Sequence, residues 1–362
     1  MSADPVIGLL GMGTATPHIL PQSVAADMAV ELCCTTDTER AWLRRVYDRA
    51  GVDARGSVLR VGDTVDDGAD MMAFYPPRRH AEDHGPTTAQ RMRRYALDAP
   101  PLAARAAESA LRDAGLSADS ITHLITVSCT GFFAPGLDVA LIDRLKLSSS
   151  VGRVHIGFMG CHAALNAIGV AKAIAESDHT ARILVCCVEL CSLHFAYGWR
   201  PDKLVANSLF GDGAAAVVIG DVADHQHPSR WIIRRLASRL MEESHALMGW
   251  TIGDHGFEMT LSPDVPARVR QAFRPWLESW SSDVEHWAIH PGGPKVITAV
   301  GEAMGLSREQ LLPSRSLLAE WGNMSSGTVL FILDRLGPQT RGNCAVAAFG
   351  PGLMMEGMLV SR

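Results

Sequence analysis

Val154-His155-Ile156-Gly157-Phe158-Met159-Gly160-Cys161-His162-Ala163-Ala164-Leu165-Asn166 is the stretch from which the fold can be read. An apolar, strand-like segment passes through glycine into a cysteine. Small residues follow at once and continue as a helix to about Ser177. The reading puts Cys161 on the first turn of a buried helix, where unpaired backbone N–H groups and the positive end of the helix dipole face it. Both favour the thiolate, so the spacing predicts an activated nucleophile.

Outward from this stretch, strands and helices alternate. Val6–Gly11 reads as a buried strand ending in the turn Gly11-Met12-Gly13-Thr14-Ala15-Thr16-Pro17, and helical patterns follow at Ser23–Leu32 and Thr38–Ala50. Residues 60–90, broken by Tyr75-Pro76-Pro77-Arg78-Arg79-His80, read as a long loop of the kind that forms lids and binding loops. A helix is expected at Leu102–Ala114, and buried strands at Ile121–Ser128 and Ile183–Val188. Leu209-Phe210-Gly211-Asp212-Gly213 with its following apolar strand closes a first half. Cys344–Phe349 with Gly350-Pro351-Gly352 closes a second in the same manner. The polar join His225-Gln226-His227-Pro228-Ser229 divides them at 224/225. Helices and strands alternating twice over indicate a layered α/β fold of two similar halves.

The chain has 362 residues, 47% of them hydrophobic and 20% charged, which allows two domains or one large duplicated unit. A net charge of −6 argues against nucleic acid as a partner. No apolar run approaches the roughly 18 residues of a membrane span. Met1-Ser2-Ala3-Asp4-Pro5 carries no basic region before an apolar stretch, so a cytoplasmic protein is expected. The adjacent pairs Cys33-Cys34 and Cys186-Cys187, placed on strands, would point to opposite faces. No paired C-x-x-C elements suggest a zinc site, and no G-x-G-x-x-G suggests a dinucleotide.

Two more motifs carry chemistry. Trp287-Ala288-Ile289-His290-Pro291-Gly292-Gly293-Pro294 delivers a histidine from a strand into a turn. Glu320-Trp321-Gly322-Asn323-Met324-Ser325-Ser326-Gly327 delivers an asparagine ahead of the helix Thr328–Leu336. A thiol, an imidazole and an amide together suit acyl-thioester chemistry, the thiol attacking and the two N–H donors holding the oxyanion. Neutral donors that stabilise an oxyanion in a site that excludes water need no metal or redox cofactor. His162 follows the nucleophile but points about 100° away on a helix, which favours a structural role. Each residue also has a plain packing alternative when taken singly; the order and context of all three weigh against it.

With these motifs in order, the chain resembles a type III polyketide synthase, the chalcone-synthase-like branch of the thiolase fold. The likeness runs from Gly11-Met12-Gly13-Thr14-Ala15-Thr16-Pro17 to Phe349-Gly350-Pro351-Gly352. It implies two duplicated βαβαβ-type halves in an αβαβα arrangement, 1–224 carrying the cysteine and 225–362 the histidine and asparagine. It implies iterative condensation of an acyl-CoA starter with malonyl-CoA, cyclisation to an alkylresorcinol, phloroglucinol or pyrone, no cofactor beyond coenzyme A thioesters, and a homodimer. Cys161 would hold the acyl chain, His290 and Asn323 the thioester oxygen and the enolate, and Phe210 would gate the tunnel. Arg45 and Arg49 fall where the family contacts coenzyme A phosphates. Cys129, Cys191, His194, Met259 and Ser325 fall on cavity walls, with Trp250 and the 60–90 loop shaping the volume.

The chain departs from the plant enzymes in several places. Met259 stands for a second gating aromatic, Ala134 for a methionine at the dimer interface, Cys129-Thr130-Gly131 for Thr-Ser-Gly, and Ala348 for the first glycine of the closing motif. Residues 324–348 are also shorter than in plant relatives. A flexible thioether wall and bacterial-type cavity residues favour a fatty acyl starter. A ketoacyl synthase that condenses once, a Cys-His-Asn hydrolase and a non-catalytic scaffold remain as alternatives.

Overall fold

The computed structural model describes residues 5–61, 70–80, 82–223 and 231–362. Its main sheet has nine strands in the order His286–Ile289, Asn343–Gly350, Met354–Ser361, Trp231–Leu240, Ile7–Ala15, Asp212–Asp221, Ile183–Leu190, His123–Ser128 and Gly152–Gly157. The ladder is thin at its centre, where Ile7–Ala15 and Trp231–Leu240 share only the pairs Gly8↔Ile232 and Leu9↔Trp231. Outward from that join each side repeats the other: two antiparallel pairings, then a parallel one. The duplication is therefore written in the strand directions.

Alternation along the strands sets the layers. Leu184, Cys186 and Val188 pack with the helix Thr88–Ala114 on one face, while Ile183, Val185 and Cys187 face the other way. In the second half Ala345, Ala347 and Phe349 pack under the helices Val265–Glu278 and Pro294–Met304. Cys344, Val346 and Ala348 turn into the same middle core as Ile183, Val185 and Cys187. That core is built on the helices Ala163–Ser177 and Thr328–Arg335, which gives the order helix, sheet, helix, sheet, helix.

Close approach explains much of the local sequence. The helix Thr88–Ala114 opens with a Thr87/Gln90 capping box and ends at Gly115 with φ 65°. It lies so near the first strand that a Cβ on Gly13 would sit 2.4 Å from the Ala106 carbonyl oxygen. Gly11 and Gly13 thus serve contact with a helix, and the expected turn at Gly11–Pro17 is strand as far as Ala15. The helix expected at Leu102–Ala114 begins at Thr88 and carries Pro100 and Pro101 inside it. Packing of its alanine face on the sheet outweighs the hydrogen bonds those prolines remove.

Other boundaries moved as well. Cys33 ends the helix Gln22–Cys33 and Cys34 caps it, so that pair is not on a strand, whereas Cys186 and Cys187 do face opposite cores. Gly152–Gly157 is an edge strand with Arg153, Val154 and His155 exposed. The 60–90 segment includes a short helix, Met71–Phe74, and the start of the long one. Residues 62–69 and the join His225–Ser229 lie outside the described residues. No helix among the described residues is long and apolar enough to cross a membrane.

Gly13→Ala is expected to lower stability by about 2 kcal/mol or more, read as a drop in urea midpoint, because neither backbone can yield cheaply. Gly249→Ala, where a new Cβ meets only Thr260 Cβ at 3.8 Å, is the control and should leave the midpoint nearly unchanged.

Candidate active site

Cys161 reaches the site through a turn that few residues could make. Gly160 has φ +83°, and a Cβ there would stand 2.4 Å from Pro351 Cδ; Phe158 also has φ 61°. The helix starts at Ala163 with His162 as its N-cap, so Cys161 lies just before the first turn rather than on it. Ser325, held at φ 48°, donates its hydroxyl to Cys161 Sγ at 3.5 Å and lies 3.1 Å from Cys129 Sγ.

His290 leaves the strand His286–Ile289 fully buried, and neither ring nitrogen has a hydrogen-bond partner. Asn323 is also buried; its Oδ1 accepts from Ser325 N at 2.9 Å, and its Nδ2 has no partner. The Asn323 backbone is bridged to the Phe210 segment, with Asn323 N donating to Leu209 O and Gly211 N to Asn323 O, both at 2.9 Å. Buried donors left open in this way are costly unless a substrate oxygen meets them.

Burial dominates the electrostatics. It pushes the Cys161 thiol up to about 12, against the hydrogen bond from the Ser325 hydroxyl. It pulls His290 down to about 3, with the neighbouring His162 adding to the effect. Burial thus works against the thiolate expected from the helix start and favours the neutral form of each group. Removing a charge from water costs more than a helix terminus returns.

A cavity of about 320 Å³ opens onto Cys161 and Ser325, while His290 and Asn323 lie buried behind its wall and do not line it. Cys161, Phe210, Cys129, Cys191, His194, Met259, Ser325 and Trp250 all line it, as do Met71 and Tyr75 from the 60–90 segment. Trp250 is fixed by its Nε1–H donating to Cys129 O at 2.7 Å. His194 Nε2 donates to Thr130 O at 2.6 Å and its Nδ1 accepts from Phe257 N at 2.9 Å, which makes it a rigid wall. His162 bonds Asn166 at 2.7 Å and its ring stands against Gly350, in keeping with a structural role.

Arg45 and Arg49 do not line this cavity; both stand exposed at the end of the helix Asp37–Asp48. The basic groups that do are Arg55, Arg200 and Lys203, and Lys203 Nζ donates to Met259 O at 2.6 Å. Sequence reasoning also missed Glu189, a fully buried carboxyl taking Cys129 N at 3.0 Å, Thr130 Oγ1 at 2.7 Å and the Ser326 hydroxyl. Burial raises its pKa. The clue was present: one acid inside the run Ile183-Leu184-Val185-Cys186-Cys187-Val188-Glu189-Leu190.

The layered α/β fold is thiolase-like, the fold of condensing enzymes, and Ser325 bridges the loops of Cys161 and Asn323. Residues 2–223 match the family model for the N-terminal domain of chalcone and stilbene synthases, and residues 233–362 the model for their C-terminal domain. The chain belongs to that family and is a type III polyketide synthase of bacterial type. It is 34% identical over 364 residues to the "Alpha-pyrone synthesis polyketide synthase-like Pks18" of Mycobacterium tuberculosis, covering 96% of this chain and 89% of that one. The crystal structure of PKS-I from the brown alga Ectocarpus siliculosus superimposes with TM-score 0.89 at 28% identity, over 100% of this chain and 99% of that one. The C-terminal type III polyketide synthase domain of Steely1 from Dictyostelium gives 0.87 at 25% identity, over 99% of each chain. The activity is thus iterative, malonyl-CoA-dependent acyl transfer from an acyl-CoA starter.

Acid stability offers a check on the buried imidazoles. Burial holds His194 at about 3 against an ordinary 6.5, so the unfolded chain takes up a proton that the folded one refuses. The stability from this group is complete above 6.5 and is lost as pH falls toward 3. The urea midpoint of His194→Gln should therefore change less between pH 7 and pH 4 than that of the parent. Comparing the two curves cancels the buried carboxyls they share.

Proposed function

We propose that the enzyme loads a fatty acyl group, extends it with several malonyl units and closes the product to a resorcinol, phloroglucinol or pyrone. One observation carries the reading of the starter. The cavity that Cys161 lines is also lined by Leu20, from the strand His18–Pro21, and by Ala25, Met28 and Leu32 of the helix Gln22–Cys33, an apolar limb suited to an aliphatic chain. The relative named for alpha-pyrone synthesis favours the pyrone among the three closures.

In this reading the Cys161 thiol passes its proton to His290 as it attacks the starter thioester. An acyl-cysteine forms and coenzyme A leaves with a proton. Malonyl-CoA then enters and loses carbon dioxide, and the Asn323 amide with the imidazole N–H of His290 holds the enolate oxygen. Their unpartnered donors support the assignment. The enolate carbon attacks the acyl-cysteine, giving a β-ketoacyl-CoA and freeing Cys161 for reloading. Phe210 shields the carbanion from water, and Cys129, Cys191, His194, Met259 and Ser325 shape the growing chain. Arg45 and Arg49 would meet coenzyme A phosphates at the outer surface, with Arg200 and Lys203 deeper in. Coenzyme A thioesters suffice, without metal or redox cofactor.

The first half, 1–224, would supply the nucleophile and the second, 225–362, the two donors. The enzyme would work in the cytoplasm as a homodimer, paired through the exposed edge strand Gly152–Gly157. Val154→Asp on that strand should then shift the sedimentation mass from dimer to monomer; an unchanged mass would place the interface elsewhere.

The decisive experiment incubates the protein with malonyl-CoA and acyl-CoA starters of increasing length, with products read by mass spectrometry. A cyclised product counting several malonyl units, made best from long starters, is the expected result. A single condensation would overturn iteration, and malonyl-independent hydrolysis would overturn the synthase chemistry. Cys161→Ala should abolish polyketide yet still release carbon dioxide from malonyl-CoA. Asn323→Ala should slow that release by about 100-fold or more.

A further inference from the structure

Arg55 is a charged side chain that the chemistry above does not use, and it is only 5% exposed. It comes from the short strand Ala54–Ser57 and reaches under the last turn of the helix Pro201–Leu209. Its guanidinium donates to Asn207 O at 2.7 Å, Ser208 O at 2.7 Å and Phe210 O at 2.8 Å, and also to Gln22 Oε1. Gln22 is itself buried and donates to Ser208 O at 3.0 Å and Tyr47 O at 3.3 Å. The Arg55 stem fills the space left by two glycines. A Cβ on Gly211 would lie 3.1 Å from Arg55 Cβ, and one on Gly322 would lie 3.4 Å away.

The hydrogen bonds hold the Phe210 arm of one bridge, and the Arg55 stem packs beside Gly322 on its Asn323 arm. Gly211 follows the gate residue Phe210, and Gly322 precedes Asn323; the two segments exchange hydrogen bonds at 2.9 Å. A helix end needs no buried cation, since glycine or water satisfies its last carbonyls. A guanidinium removed from water is retained where its fixed fork of donors sets a geometry that simpler caps leave loose. We infer that Arg55 is a positioning residue that sets the Phe210 gate and the Asn323 donor together, by clamping the bridge that joins them. The inference rests on the roles proposed above for those two residues.

Arg55→Met, Arg55→Lys and Asn323→Ala are compared with the parent in three readouts. These are alkylation of Cys161 by iodoacetamide, release of carbon dioxide from malonyl-CoA, and the ratio of carbon dioxide released to carbon–carbon bonds formed. Arg55→Met should keep Cys161 alkylation within about twofold, cut carbon dioxide release at least tenfold and raise the ratio several-fold. Arg55→Lys, with a cation able to reach some of the same carbonyls, should recover part of both losses. A folded Arg55→Met with parental release and ratio overturns the inference, provided Asn323→Ala is impaired. An unimpaired Asn323→Ala overturns the site reading and this inference with it. If Arg55→Met does not fold, Gln22→Met, which removes the anchor beside the guanidinium, is read in the same way. Loss of all three readouts in proportion to folded protein, with no recovery in Arg55→Lys, reduces Arg55 to a structural cap and overturns the inference.

Discussion

Two backbone hydrogen bonds tie the chemistry of this enzyme together: Asn323 N to Leu209 O and Gly211 N to Asn323 O. They join a loop of the second half to the end of a helix in the first. Everything around them serves that closeness. Gly211 and Gly322 let the backbones approach, Arg55 fills the space beneath, and Met324 is wedged where Gly213 has no side chain. An amide donor and an aromatic wall are thereby fixed relative to each other before any substrate arrives, which is preorganisation in its simplest form.

The same closeness buries the side chains around it, and the site bears the electrostatic consequence. Cys161, His290, His194 and Glu189 all shift toward their neutral forms because burial outweighs every local partner. A neutral site suits the reaction class. In the proposed reaction the charge that matters develops on the substrate's enolate oxygen, and buried N–H donors would hold it more strongly than donors in water.

The layered core explains why such a site can exist between two halves of one chain. The helices Ala163–Ser177 and Thr328–Arg335 share the middle layer, and each begins just after a loop of the proposed site, one carrying Cys161 and the other Asn323. Duplication thus places equivalent helix starts face to face. The strand His286–Ile289 brings His290 to the same end by pairing parallel with Asn343–Gly350.

Sequence alone determined the reaction class. The contexts of Cys161, His290, Asn323 and Phe210 are local, and so were the alternating strands and helices, because periodicity and turn chemistry act over a few residues. Where distant segments meet, the tertiary structure decided. It turned Gly11 and Gly13 from a turn into a packing surface, because a helix a hundred residues later lies against them. It carried a helix through Pro100 and Pro101, left Arg45 and Arg49 outside the cavity, and brought Arg200 and Lys203 into it. It also set the burial that pushes the Cys161 thiol upward, since burial is a property of the whole surrounding shell and no stretch of thirteen residues contains it.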